Sequence, residues 1–268
     1  MIFKNILYIV GIPIGNMFDF THRAILILKN VDVIATEDSR KLGLILKFLN
    51  FKNKILSLNI YNEITISKIL INYIKSNKSV ALVSDCGTPL INDPGFFLIN
   101  FAYKNNIDVL PVPGISSFLT SLSISYFIYD NFIFEGFIPK NFHHKNKLFN
   151  KISIESKPII FFEASNRLFE TIDIMQNVFK DNRIIFISKD LTKKFQACIM
   201  CDLFFINHFI LNKKFNIFIR GELVLFLNNY FKINYFFKYR YINILNKIKK
   251  TYFKFNNNIK KNIFNDFL

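Results

Sequence analysis

The sequence predicts two α/β domains in one 268-residue chain, the first on a mostly parallel open sheet and the second on a mixed sheet. Three observations carry this. Short Val/Ile-rich runs alternate with longer amphipathic segments, the pattern of parallel strands covered by helices. The alternation restarts after Tyr129. Three Gly/Pro-rich turns follow strands of the first half, at the sheet edge where open α/β folds bind ligands.

Taken in order, LYIVG (Leu7–Gly11) reads as a strand and Phe18–Asn30 as a helix with Phe20, Ala24, Ile27 and Leu28 on one face. VDVIAT (Val31–Thr36) is a second strand, Ser39–Asn50 a helix, and KILSLNI (Lys54–Ile60) a third strand. Glu63–Ser76 carries Ile66, Ile69, Leu70 and Tyr73 at helical spacing. SVALV (Ser79–Val83) is strand four, Gly95–Lys104 a helix, and DVLPVP (Asp108–Pro113) strand five.

In the second half, FIFEGF (Phe132–Phe137) is a strand and Phe142–Ile152 a basic helix. PIIFFEA (Pro158–Ala164) is a strand, followed by a helix over Asn166–Phe179 with Asn166 as its N-cap. RIIFISKD (Arg183–Asp190) is a strand. Phe195–Met200, Phe215–Arg220 and GELVLFL (Gly221–Leu227) read as antiparallel strands of the mixed sheet. The domains are expected at 1–122 and 123–228. No low-complexity linker separates them, so a ligand cleft between the two is expected. Residues 229–268 form a tail with nine Lys/Arg against one acid, Asp266, interleaved with Tyr235, Phe236, Tyr239, Tyr241, Tyr252 and Phe253. Basic and aromatic residues mixed this way suit RNA, through phosphate pairing and base stacking; a small helical appendix with solvated Lys is the alternative.

A chain that is 51% hydrophobic supports a sizeable core. The formal charge of +16 points to a polyanionic partner. Part of that charge follows from enrichment in Phe, Ile, Asn and Lys, residues with A/T-rich codons. Arg is scarce, at Arg23, Arg40, Arg167, Arg183, Arg220 and Arg240 alone, so these are expected to be sites that need a rigid fork of donors.

Cys86, Cys198 and Cys201 are too few for a disulfide framework and fit a reducing cytoplasm. The lone C-x-x-C has no second pair and no spaced His partner, so no metal is expected. No cleavage-site pattern follows the start MIFKNILYIVG. The uncharged run Val109–Tyr129 is broken by Pro111, Pro113 and Gly114 and rich in Ser, so no membrane span is expected.

The chemistry is expected in GIPIGN (Gly11–Asn16), SDCGTP (Ser84–Pro89) and PVPGISS (Pro111–Ser117). Gly lets a backbone approach a ligand closely, and Pro stiffens the loop. GIPIGN is not the dinucleotide fingerprint, because Pro13 and Asn16 stand at its second and third Gly. The P-loop pattern is absent.

The ordered motifs LYIVGIPIGN, VDVIATEDSRK, SVALVSDCGTPLINDPG, VLPVPGISS, FIFEGFIPK, FFEASNRL, KDLTKKFQ and RGELVL closely resemble the tetrapyrrole methylase-like superfamily of S-adenosylmethionine enzymes, on its branch acting on ribosomal RNA. The resemblance covers about 7–227. Gly11 and Cys86 depart mildly from the family pattern, and both are small. It implies S-adenosylmethionine bound in the interdomain cleft and 2′-O-methylation of a cytidine ribose in 16S rRNA of the small ribosomal subunit. It implies a homodimer. Cofactor contacts carry over to Ile12, Pro13, Gly15, Asp85, Gly87, Thr88, Ile115 and Ser116, with Phe162 and Gly221 from the second domain. Asp85 would be an acceptor, Gly87 would give clearance and Thr88 a hydroxyl, with Asp93 or Gly95 opening the next helix; an Asx-turn is the alternative for Asp85.

TEDSRK (Thr36–Lys41) follows strand two, so it faces the same edge. Glu37 or Asp38 is expected to accept or position the substrate hydroxyl, and Arg40 to grip a phosphate, against an N-cap with a surface ion pair. Arg167 would orient RNA or pair with Glu163, and Lys193 and Lys194 would meet phosphates or be solvated. Two other readings fit the fold: a small-molecule methylase acting on a tetrapyrrole, and a non-catalytic RNA-binding assembly factor.

Overall fold

The computed structural model describes residues 3–125, 130–179, 183–206, 221–229 and 240–242. Two compact units divide the chain, Met1–Thr120 and Ser121–Leu268.

In the first unit five strands lie parallel. They are β1 (Ile6–Val10), β2 (Val33–Thr36), β3 (Lys54–Ser57), β4 (Val80–Leu82) and β5 (Asp108–Val112), in the spatial order β3-β2-β4-β1-β5. Helices α1 (His22–Asn30), α2 (Ser39–Phe48), α3 (Glu63–Lys75) and α4 (Phe96–Lys104) make the crossovers. Alternate strand residues supply two separate cores, as the two-residue period of a strand requires. Tyr8, Val10, Ile34 and Ala81 pack with Ala24, Leu28, Leu42 and Leu46 of α1 and α2. Leu7, Val33, Ala35, Val80 and Leu82 pack with Leu70, Ile74, Leu98 and Ala102 of α3 and α4. Both faces are covered, which is why β1, β2 and β4 read as continuous apolar runs.

Three local expectations are corrected. The first helix begins at His22, because the Thr21 hydroxyl accepts the Ala24 amide as an N-cap; Met17–Asp19 is a separate 3-10 turn. Strand three stops at Ser57, because Asn59 and Asn62 close a turn with their side chains. Asn166 caps nothing: Ser165–Arg167 is a 3-10 turn, and α7 starts at Leu168.

The second unit opens with α5 (Ser117–Leu122), which crosses the division. It holds β6 (Ile133–Phe137), α6 (Phe142–Ile152), β7 (Ile159–Ala164), α7 (Leu168–Val178), β8 (Arg183–Lys189), β9 (Ala197–Asp202), β10 (Glu222–Asn229) and β11 (Arg240–Ile242). Its sheet order is β11-β9-β8-β10-β7-β6. Among the described residues only β6 and β7 of this sheet pair in parallel, so the sheet is mixed. Phe149, Phe161, Ile172, Met175, Ile185 and Leu225 belong to its core. Cys198 and Cys201 are buried in β9, and burial pushes both thiols up to about 12. They pack as small apolar residues. The strand expected at Phe215–Arg220 and most of the basic tail lie outside the described residues. Among the described residues no helix is long and apolar enough to cross a membrane.

Candidate active site

Strand order puts β4 beside β1 and β1 beside β5, so the loops after these strands emerge side by side. Their contacts are backbone to backbone. The Gly11 amide donates to the Val112 carbonyl at 2.9 Å. Ile12 and Gly87 exchange two hydrogen bonds, at 2.9 and 3.1 Å. A Cβ on Gly11 would lie 2.7 Å from the Gly114 nitrogen, and one on Gly114 would lie 2.5 Å from the Gly11 carbonyl carbon. Only paired glycines allow the first and third loops to cross this closely. Gly87, at φ +77°, occupies the left-handed region, and a Cβ there would lie 3.4 Å from the Ile14 side chain and 3.6 Å from the Ile115 carbonyl oxygen. Thus Ile12, Pro13, Gly15, Asp85, Gly87, Thr88, Ile115 and Ser116 belong to three adjoining loops although they span more than a hundred residues of sequence. Thr88 and Ser116 are partly exposed and carry hydroxyls.

Asp85 is not an Asx-turn. One carboxylate oxygen accepts the Asp38 amide at 2.9 Å, and the other meets Lys41 Nζ at 2.6 Å. It therefore ties the loop after β4 to the start of α2. A carboxylate has about four lone-pair sites, so acceptor capacity is left over. Asp38 is the N-cap of α2: its Oδ1 accepts the Arg40 amide, and its two oxygens receive Arg40 Nε and Nη2 at 3.0 and 2.9 Å. The Arg40 fork holds its carboxyl down to about 2, which makes Asp38 a weak base. Burial, then the charges of Glu37 and Asp85, push Asp93 up to about 6.

Glu37, Asp38, Arg40, Ser57, Tyr61 and Asp85 are among the residues lining a groove of about 480 Å³. Gly95 is the N-cap residue of α4 and so opens that helix as expected, but no side chain of its own loop caps it. That cap comes from Glu63, the first residue of α3, whose Oε1 accepts the Gly95 and Phe97 amides, both at 2.9 Å. Sequence reasoning missed this, because Glu63 looks like an ordinary acid in the first turn of its own helix. It missed Lys41 and Tyr61 as well; position next to TEDSRK was the available signal for Lys41.

In the second unit Glu163 and Arg167 form an ion pair, and Arg167 also donates to the Ile138 carbonyl at 3.2 Å. Glu163 is buried and accepts from Thr171 Oγ1 at 2.7 Å. Lys193 meets Glu222 at 2.7 Å, and Lys194 lies over the Phe195 ring. Phe162, on β7, packs edge-on against Phe134 and Phe137. Gly221 sits at φ +120°, where a Cβ would come within 2.6 Å of the Asp190 carboxylate. Among the described residues no group of His, Cys, Asp or Glu could hold a metal ion.

Parallel five-stranded unit, mixed six-stranded unit and glycine-crossed loops together define a methylase of the tetrapyrrole type: the Tetrapyrrole (Corrin/Porphyrin) Methylases family matches residues 6–204. The uroporphyrin-III-C-methyltransferase of Thermus thermophilus shares the fold, with a TM-score of 0.59 at 14% identity, over 84% of this chain and 94% of its own. Ribosomal RNA small subunit methyltransferase I of Buchnera aphidicola subsp. Baizongia pistaciae is 40% identical over 96% of this chain and 87% of its own. The Haemophilus influenzae protein of that name is 40% identical over 72% of this chain and 68% of its own. The chain belongs to the tetrapyrrole methylase family, on the branch of ribosomal RNA small subunit methyltransferase I.

Family and fold imply a methyl-donor cofactor, and the loops fit one. Backbone lines them, their hydroxyls are partly exposed, and Asp85 retains acceptor capacity for an amine or a ribose. They do not fit a pyrophosphate at α4. The Glu63 carboxylate already occupies the helix N-terminus where such an anion would bind.

Proposed function

We propose that this protein transfers a methyl group from S-adenosylmethionine to a cytidine ribose 2′-hydroxyl in 16S rRNA of the small ribosomal subunit. The reading rests on the crossing of the three loops at backbone distance, beside a groove that opens at the ends of β2 and β3. The sulfonium cofactor supplies an activated methyl group when bound. Ile12, Pro13, Gly15, Gly87, Ile115 and Ser116 would hold it through backbone, and Asp85 and Thr88 through side-chain oxygens.

Displacement at a methyl carbon is in-line, so alignment supplies most of the rate. The chain's own residues then have two tasks. Glu37, on the groove wall, takes the hydroxyl proton as attack proceeds. Asp38 serves by holding Arg40 in one orientation. Arg40 meets an RNA phosphate, and Arg167, Lys193 and Lys194 are further candidates for phosphate contact. We place the enzyme in the cytoplasm as a homodimer, a state that light scattering would test.

The deciding experiment is tritium transfer from labelled S-adenosylmethionine to small ribosomal subunits from a strain lacking the modification. Label in a cytidine ribose is the expected outcome. Cofactor binding without transfer would favour the non-catalytic assembly factor, and transfer to a tetrapyrrole carbon would favour the small-molecule methylase.

A further inference from the structure

Tyr61 is the most exposed large hydrophobic side chain among the described residues, at 99%, and it lines the same groove as Arg40. Its neighbour Ile60 is 76% exposed and lines the groove too. Neither is left out on a loose loop. The Asn59 side-chain oxygen accepts the Tyr61 and Asn62 amides, at 3.0 and 3.3 Å. Asn62 returns the favour: its side-chain oxygen accepts the Asn59 amide at 2.8 Å, and its Nδ2 donates to the Ser57 carbonyl at 3.1 Å. The next residue, Glu63, is 8% exposed and bonded to the head of α4. A self-bonded turn thus holds an aromatic ring out into water at a groove it shares with Glu37, Asp38 and Arg40. An aromatic ring has few rotors, so a base stacking on it costs little ordering entropy.

In the same groove, Arg40 has an 88% exposed side chain. Asp38 engages its Nε and one Nη2 hydrogen. A guanidinium has five donors in a fixed fork, so the remaining N–H groups point to a further acceptor. Ring and fork belong to consecutive strand ends, since β2 and β3 pair in register up to Thr36 and Ser57. A stacking platform and an oriented phosphate donor on one groove match an unpaired nucleotide: base, ribose and phosphate.

We propose that this groove seats an unpaired RNA nucleotide, its base stacked on Tyr61 and its phosphate held by the Asp38-oriented Arg40. The proposal rests on the methyltransferase reading and names the subsite that reading leaves open. Because Tyr61 is exposed and its turn is built from Asn59 and Asn62, substituting it leaves the fold intact.

The test compares wild type, Tyr61→Ala and Tyr61→Phe in equilibrium binding to unmodified small ribosomal subunits and in methyl transfer to them. Calorimetry with S-adenosylmethionine on the same proteins controls for the cofactor loops. Tyr61→Ala should weaken subunit binding about 5- to 150-fold, the range for losing one base–aromatic stack. Tyr61→Phe should restore it to within about twofold, since the ring does the stacking. Cofactor affinity should not change. Tyr61→Ala binding subunits as wild type does, or Tyr61→Phe binding as weakly as Tyr61→Ala, would overturn the proposal. If wild type still methylates a cytidine ribose in either case, the enzyme reading stands without this subsite. Wild-type protein that transfers no methyl group to the subunits would overturn both.

Discussion

Glu63 reaches out of its own helix to cap another: one of its carboxylate oxygens accepts the Gly95 amide at 2.9 Å, and the same oxygen accepts that of Phe97. The charge sits at the positive end of α4, where a carboxylate is favoured. It also closes the far end of the loop that begins at Ser84. Glu63→Ala would leave two shielded amides without an acceptor, at a cost of about 2 kcal/mol, and Glu63→Gln, which keeps an oxygen there, about 1 kcal/mol or less. Urea unfolding measures both. Cofactor affinity should fall for Glu63→Ala and hold for Glu63→Gln.

Gly11 and Gly114 cross with no room for a methyl group on either. Both obstacles are backbone, so no rotamer change relieves the clash. Gly114→Ala should cost about 1–3 kcal/mol and reduce cofactor binding at least tenfold by spreading the loops. Thermal unfolding and calorimetry would read the two effects. A cofactor affinity equal to wild type would separate the loop crossing from the binding site.

Asp93 is held up to about 6 by burial first and by the Glu37 and Asp85 charges second. A carboxyl whose folded value is raised favours the folded state below its unfolded value of 3.8, and that contribution disappears as pH rises through about 6. Asp93→Asn should therefore stabilise the protein at pH 8, on the order of 1 kcal/mol after solvent screening, with no gain below about pH 4. Denaturant melts at the two pH values decide it.

Asp38 has the opposite sign. Arg40 lowers its carboxyl to about 2, so the pair persists through the neutral range and is lost only as pH falls below the unfolded 3.8 toward 2. Asp38→Ala should leave cofactor affinity unchanged, lower kcat/KM toward subunits about tenfold through a misplaced Arg40, and leave the shape of the pH–rate profile above pH 5 as in wild type. A profile that loses a limb would instead make Asp38 the base.

Lys41 and Asp85 link the head of α2 to the loop after β4 at 2.6 Å. Lys41→Met removes the cation while keeping the stem. It should weaken cofactor binding about two- to tenfold, because Asp85 then keeps only the Asp38 amide as an orienting donor. Little stability should be lost, since exposed ion pairs contribute little.

The bends that frame the candidate site are legible in the sequence. GIPIGN, SDCGTP and PVPGISS announce special backbone geometry, and the alternation of apolar runs with amphipathic segments places each at a strand end. Asp38 as an N-cap paired with Arg40, and Glu163 with Arg167, were among the readings that sequence spacing offers, because partners within four residues depend on local geometry. The Glu63 cap, the Lys41–Asp85 link and the groove under Tyr61 join residues far apart in the chain, and no local pattern encodes such a partner.

By itself the sequence determined most of the strands and helices among the described residues, the two-unit plan and the places where glycine and proline bend the chain, because these follow from side-chain period and backbone sterics over short windows. Tertiary structure decided which bends meet. The order β3-β2-β4-β1-β5 places β1 between β4 and β5, and that order is set by how two apolar faces bury themselves under four crossover helices. Gly11 faces Gly114, and Ile12 pairs with Gly87, only as a consequence of that burial.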